Sequence, residues 1–204
     1  MSNDLAPVRR GRTALVSASI VGVVMVAFIA LLATRDHGDR ETASALLGGP
    51  APAIVGETLD GGDFDLDDLR GRWVVVNFFG TWCPPCIVEH PHLVAFHEAH
   101  AETGDVEVVS VAFEDTAEDV AAFFDEYGGE WPVLGEGVNS IAIGWGVTGL
   151  PESFLVAPNG VVVFKFVGGV TYDDLDSVLS AARGLPEEDL DDEDLLGELP
   201  EEVS

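Results

Sequence analysis

The sequence predicts an α/β domain built on a central mixed sheet, and three observations carry that prediction. Residues 73–79, Trp-Val-Val-Val-Asn-Phe-Phe, form an almost unbroken apolar run of the kind required by a strand buried on both faces. Further strand-like runs at 106–113, 153–157 and 161–167 are interleaved with stretches of helical periodicity. Pro158-Asn159-Gly160 separates the last two runs and marks a tight antiparallel turn rather than a crossover. The predicted order is βαβα followed by ββα.

Taken from the N-terminus, residues 13–34 carry no charge and are rich in Val, Ile, Leu, Ala and Phe. About 20 helical residues span about 30 Å, the thickness of a bilayer's hydrocarbon core, so this segment is predicted to be a membrane-spanning anchor. It is longer than a secretory apolar region, Leu31-Leu32-Ala33 is a poor cleavage site, and no cysteine follows to accept a lipid. Arg9, Arg10 and Arg12 precede it, whereas Arg35 and Arg40 are mixed with acids, which places residues 1–12 in the cytoplasm and the rest beyond the cell membrane in a single pass. Residues 35–50 are a polar tether, and the folded domain is expected over 51–184.

Within that domain, 53–59 and 62–66 flank Asp60-Gly61 and predict an N-terminal β-hairpin extension. Strand 73–79 leads to a helix over 84–100 that Pro91 should kink. Strand 106–113 precedes a helix over 116–127 with Val120, Phe123 and Phe124 on one face. Residues 131–134 and 141–147 read as an irregular Gly-rich connection, and 172–183 as the closing helix. Residues 185–204 hold too much like charge to pack and are predicted to be a solvated tail.

Acidic residues number 37 against 9 Lys and Arg, a net charge of −28. Beyond residue 41 the only Lys or Arg are Arg70, Arg72, Lys165 and Arg183. Such a field repels nucleic acid and anionic lipid head groups, which excludes both as partners, and it suits a salt-rich medium.

The chain has two cysteines, Cys83 and Cys86, spaced Cys-Pro-Pro-Cys at the start of the predicted helix 84–100. Two thiols one helical turn apart, with no third to mispair, fit a dithiol/disulfide cycle: one attacks, the other resolves. The helix N-terminus favours a thiolate at Cys83, but Pro84 and Pro85 have no N–H to offer it, and the acidic surroundings oppose another anion. A less stabilised thiolate makes a stronger reductant. A structural staple across so short a loop would add little stability, a Cys83–Cys86–His90 metal site lacks a fourth ligand, and haem attachment would need His where Ile87 stands.

Residues 77–91, containing Trp82-Cys83-Pro84-Pro85-Cys86 and Glu89-His90-Pro91, together with Gly149-Leu150-Pro151-Glu152-Ser153-Phe154-Leu155, resemble the TlpA/ResA/CcmG group of membrane-anchored thiol-disulfide reductases. The resemblance runs from about residue 52 to 183 and implies a thioredoxin-like fold and no cofactor. It implies a cis Leu150–Pro151 bond beside the cysteines, with the Leu150 backbone offered to an extended polypeptide substrate and Trp82 shielding the thiols. Glu89 would serve the thiol pair as its acid–base group, since Asn77 stands where general thioredoxins have an aspartate. Partners implied are disulfide-containing proteins, apocytochrome c among them in a cytochrome c maturation role, and a membrane electron donor of the CcdA/DsbD kind. His90, His92, His97 and His100 are read as helix-surface residues, and no metal site is expected.

Two rival functions fit the sequence less well. A peroxide-reducing redoxin would need Thr three residues before its reactive cysteine, where Gly80 stands. A copper-delivery module would space its cysteines by three residues and add a later histidine, but the last histidine here is His100.

Overall fold

The computed structural model describes Met25 and residues 46–135 and 138–185. The chain divides into two units, Met1–Glu41 and Thr42–Ser204, and the architecture below is that of the second. Apart from Met25, the predicted anchor at 13–34 lies outside the described residues, as do the segment 1–12 and nearly all of the predicted tail. Among the described residues, no helix is long and apolar enough to cross a membrane.

The hairpin forms from β1 (Val55–Glu57) and β2 (Asp63–Asp65), paired antiparallel around a turn in which Gly61 takes a φ of 82° that side chains resist. A single 3-10 turn, Leu66–Leu69, leads into β3 (Trp73–Phe79), and α1 (Pro84–His100) follows. Then come β4 (Val106–Ala112), α2 (Ala117–Tyr127), β5 (Val133–Leu134), α3 (Asn139–Gly144), β6 (Glu152–Val156), β7 (Val162–Val167) and α4 (Tyr172–Arg183). The main sheet runs β5-β4-β3-β6-β7, with β3, β4 and β5 parallel and β6 and β7 antiparallel to their neighbours. This mixed sheet with helices on both faces is the thioredoxin-like α/β fold.

Side-chain alternation along β3 builds two cores. Trp73, Val75 and Phe79 face α1, α2 and α4, where Leu93, Phe96, Phe123 and Leu179 pack. Val74, Val76 and Phe78 face the opposite side, with Trp145, Phe154, Ile54 and the hairpin's Phe64. Asn77 is the one polar residue of the strand and is 2% exposed. Side chains start the later helices: Thr116 accepts from Asp119 N, and Thr171 and Asp174 form a reciprocal capping box.

The structure departs from the sequence expectation in the connection between α2 and β6. Two elements stand there rather than irregular chain. β5 is two residues long and exists because Val133 and Leu134 pair with Ser110 and Val111 of β4, which no local pattern announces. α3 is six residues long and has no side-chain cap. Residues 46–50, read as the end of a tether, carry pairings at the start of β7: Leu47 bridges Val162, and Pro50 bridges Val161 just before that strand.

Candidate active site

The C-terminal end of β3 and the start of β6 lie at the same end of the sheet, because the two strands are antiparallel with Phe78 opposite Glu152. β3 therefore delivers Gly80, Thr81, Trp82 and Cys83 to the place where Leu150 and Pro151 enter β6. Cys83 is the N-cap of α1, with Pro84 and Pro85 filling the first helical positions, and it is bonded to Cys86 as a disulfide with Cα atoms 5.3 Å apart. Both cysteines are buried. Cys86 N donates to Cys83 O at 3.0 Å, so the first turn of α1 directs this N–H to a carbonyl while the two prolines offer none.

The Leu150–Pro151 bond is cis. Leu150 is half-buried against the core cluster that contains both cysteines. Among the described residues, neither the N–H nor the C=O of Leu150 has a hydrogen-bond partner, whereas Pro151 O accepts from Gly168 N at 3.0 Å. An extended peptide could pair with those two free groups as an added strand. Trp82 is 57% exposed and its indole lies against Gly80, where an added Cβ would sit 2.9 Å from the ring. The glycine is thus a close-approach position for the tryptophan.

Glu89 stands one turn after Cys86 but does not lie on the helix surface. It is 2% exposed, accepts from Asn77 Nδ2 at 2.8 Å through Oε1, and from Val170 N at 3.2 Å through Oε2. Burial pushes its carboxyl up to about 7, with the hydrogen bonds from Asn77 and Val170 pulling the other way. Asn77 Nδ2 also donates to Ser153 Oγ at 3.0 Å, so a single amide joins β3, α1 and β6.

Several participants had no role in the sequence reading. Asp115 accepts from Thr81 N at 2.6 Å and from Thr81 Oγ1 at 3.0 Å, tying the loop before Cys83 to the segment after β4. Its neighbour Glu114 holds a φ of 51°, an uncommon conformation for a residue with a side chain. Glu152, buried beside Pro151, pairs with Lys165. One signal for that pair was available: Lys165 is the only lysine in the chain and lies in a strand of Val and Phe.

The histidines divide. His90 is buried, contrary to its reading as a surface residue: Nε2–H donates to Gly128 O at 2.8 Å, and the ring packs among Phe123, Phe124 and Trp131. Burial lowers its pKa. Its place on the inner face of α1 follows from the aromatics of α2, which the helix's own periodicity does not reveal. Among the described residues, no three His, Cys, Asp or Glu side chains gather as a metal-ligand set.

Comparison with known proteins gives concordant results. The Redoxin family profile matches residues 46–179. Thiol-disulfide oxidoreductase ResA of Halalkalibacterium halodurans is 35% identical over 154 residues, covering 75% of this chain and 85% of that protein. Thiol:disulfide interchange protein HelX of Rhodobacter capsulatus is 33% identical over 156 residues, covering 74% of this chain and 86% of HelX. The crystal structure of a thioredoxin family thiol:disulfide interchange protein from Chlorobium tepidum superimposes with a TM-score of 0.60 at 34% identity, over 66% of this chain and 96% of that one.

Proposed function

We propose, from the premise that this chain belongs to the Redoxin family and is a thiol-disulfide oxidoreductase of the ResA and HelX kind, that it works as a protein-disulfide reductase. The observation that carries the direction is the first turn of α1: two prolines and an N–H already committed to Cys83 O leave the Cys83 sulfur few donors. A poorly stabilised thiolate gives up its electrons more readily.

In the dithiol form, the Cys83 thiolate attacks one sulfur of a substrate disulfide and forms a mixed disulfide, and the other substrate sulfur leaves as a thiolate. Cys86 then yields its proton to Glu89 and attacks Cys83 Sγ. The second substrate thiolate departs, and the Cys83–Cys86 bond seen here is formed. Two electrons have passed to the substrate, and a protonated Glu89, whose carboxyl lies at about 7, can return the proton to a leaving thiolate. Leu150, with its backbone groups free among the described residues, would hold the substrate chain in extended form during the attack.

The wider setting belongs to the same proposal. Residues 13–34 anchor the domain on the outer side of the cell membrane, and a membrane donor of the CcdA/DsbD kind restores the dithiol. Cys-x-x-Cys-His segments of apocytochrome c are the favoured substrates, which places the chain in cytochrome c maturation. Peroxide reduction draws no support from the site, because Gly80 stands where that chemistry needs a threonine.

A Cys86→Ala variant tests the scheme. It should accumulate mixed disulfides through Cys83 when expressed in its own envelope, with cytochrome precursors among the captured proteins. A variant that captures nothing while Cys83 remains reactive toward a small disulfide would overturn the reductase reading.

A further inference from the structure

The chain's only lysine is spent in the interior. The side chains of Lys165 and Glu152 are 2% and 1% exposed and meet at 2.8 Å, in a molecule whose net charge is −28. Acids and lysines are almost never fully buried unless paired, and a buried pair is weak evidence of stability by itself. Its surroundings suggest another use.

Glu152 Oε1 accepts from Thr148 Oγ1 at 2.8 Å and from Thr148 N at 3.2 Å. Lys165 Nζ donates to Gly146 O at 3.4 Å and lies 5.1 Å from the Phe154 ring centre. Glu152 Oε2 has the ammonium as its partner and no hydrogen bond, so the contact is that of an ion pair. Every other polar contact of the two side chains goes to residues 146–148, the stretch leading into Leu150 and Pro151. Gly149 and Leu150 make no backbone hydrogen bonds of their own among the described residues. The segment that must receive a substrate strand is therefore held through its flanks, by Pro151 and β6 after it and by residues 146–148 before it.

We propose that Glu152 and Lys165 are a positioning pair, which holds the 146–148 segment so that the free Leu150 backbone stands ready for an extended polypeptide, making the enzyme selective for protein disulfides over small ones. The proposal rests on the reductase reading and adds to it the groups that set substrate class. Neither residue touches the reacting sulfurs. Their effect passes through Thr148 and Gly146.

The test compares two substrates with the detergent-solubilised full chain, the protein disulfide in turnover with dithiothreitol as electron donor and the small disulfide in a single turnover of chain pre-reduced and freed of donor. Insulin presents disulfides on an extended backbone, and 5,5′-dithiobis(2-nitrobenzoic acid) presents one with no backbone. Thr148→Val removes one bond to Glu152 without stranding a charge. The double variant Glu152→Gln/Lys165→Met replaces the pair by neutral groups of similar shape and avoids the unpaired charge of either single change. Both should raise KM for insulin about ten-fold with kcat little changed, leave the small disulfide within about two-fold of the parent rate, and speed amide exchange of 148–150 about ten-fold. Parallel losses on both substrates, or no change on insulin, would overturn the proposal while leaving the reductase reading intact. An unaltered chain unable to reduce insulin would count against the reductase reading and the selectivity together, whereas unchanged amide exchange in the variants would count against the positioning role alone.

Discussion

Glu89 and Glu152 are both buried glutamates, 2% and 1% exposed, and they lie on opposite faces of the same sheet. Asn77 and Ser153 connect the first, on the α1 side, while the second faces the Phe154 side one residue earlier in β6. Their partners separate them. Glu89 is met by an amide and a backbone N–H, neutral donors that only partly offset burial, so its carboxyl holds a proton up to about pH 7. Glu152 is met by the full charge of Lys165. A buried acid with neutral partners is suited to moving a proton, and one with a fixed counter-charge to holding backbone in place.

Removing the counter-charge should produce the largest effect. Lys165→Met leaves Glu152 buried without its cation and should destabilise the domain by about 3–5 kcal/mol, read as a lowered urea midpoint, whereas the double variant with Glu152→Gln should recover most of that loss. If the single variant is as stable as the parent, water reaches Glu152 and the contrast between the two acids fails.

The second prediction concerns Glu89 and pH. With its carboxyl raised from 4.5 to about 7, the folded chain keeps a proton that the unfolded chain releases. The stability this contributes is complete below pH 4.5 and is lost as pH rises toward 7, about 3 kcal/mol over the window, with no further change above it. His90 acts in the opposite sense, since burial lowers its pKa and protonation on acidification costs stability. The difference between parent and Glu89→Gln isolates the carboxyl: urea midpoints at pH 5 and pH 8 should diverge less in the variant. Turnover should also fall about 100-fold, as expected when a general acid–base group is removed. Equal pH dependence in the two proteins would mean that Glu89 is solvated.

Both acids bear on what sequence could disclose. β3 and α4 were legible to the residue because a long apolar run defines the first and a helical stripe the second, and α1 was legible from its Cys-Pro-Pro-Cys start. Glu89 was legible as a neighbour of Cys86, but not its depth, which is set by Asn77 on β3 and by Val170 N in a loop 81 residues further on. His90 was misread for the same reason, since the aromatic side chains around it come from another helix. Lys165 and Glu152 meet only because β6 and β7 pair with Phe154 opposite Lys165, a register fixed in three dimensions. The Cys83–Cys86 pairing and the cis Leu150–Pro151 bond were legible from motif and family resemblance.

Asn77→Asp would sharpen the comparison by giving Glu89 a charged neighbour of its own sign. At the present 2.8 Å contact the two carboxyls would titrate as a pair, and the upper of the two values should lie at least about one unit above that of Glu89 alone. The limb of the pH–rate profile near 7 should move upward accordingly. If it stays in place, the group that titrates there is not Glu89.

Asp115 offers the smallest and most local test, because it is held by neutral donors as Glu89 is but is only partly buried. Thr81 N and Thr81 Oγ1 both donate to it, and Thr116 N adds a third bond at 3.1 Å. Asp115→Ala removes all three acceptor contacts and should cost about 1–2 kcal/mol, with a several-fold slower attack of Cys83 on a small disulfide as the Thr81-Trp82 loop loosens. Asp115→Asn retains one acceptor oxygen and should lose less than half of this. If Asn were as damaging as Ala, the negative charge itself would matter at the mouth of the site, and Asp115 would have to be grouped with Glu152 rather than with Glu89.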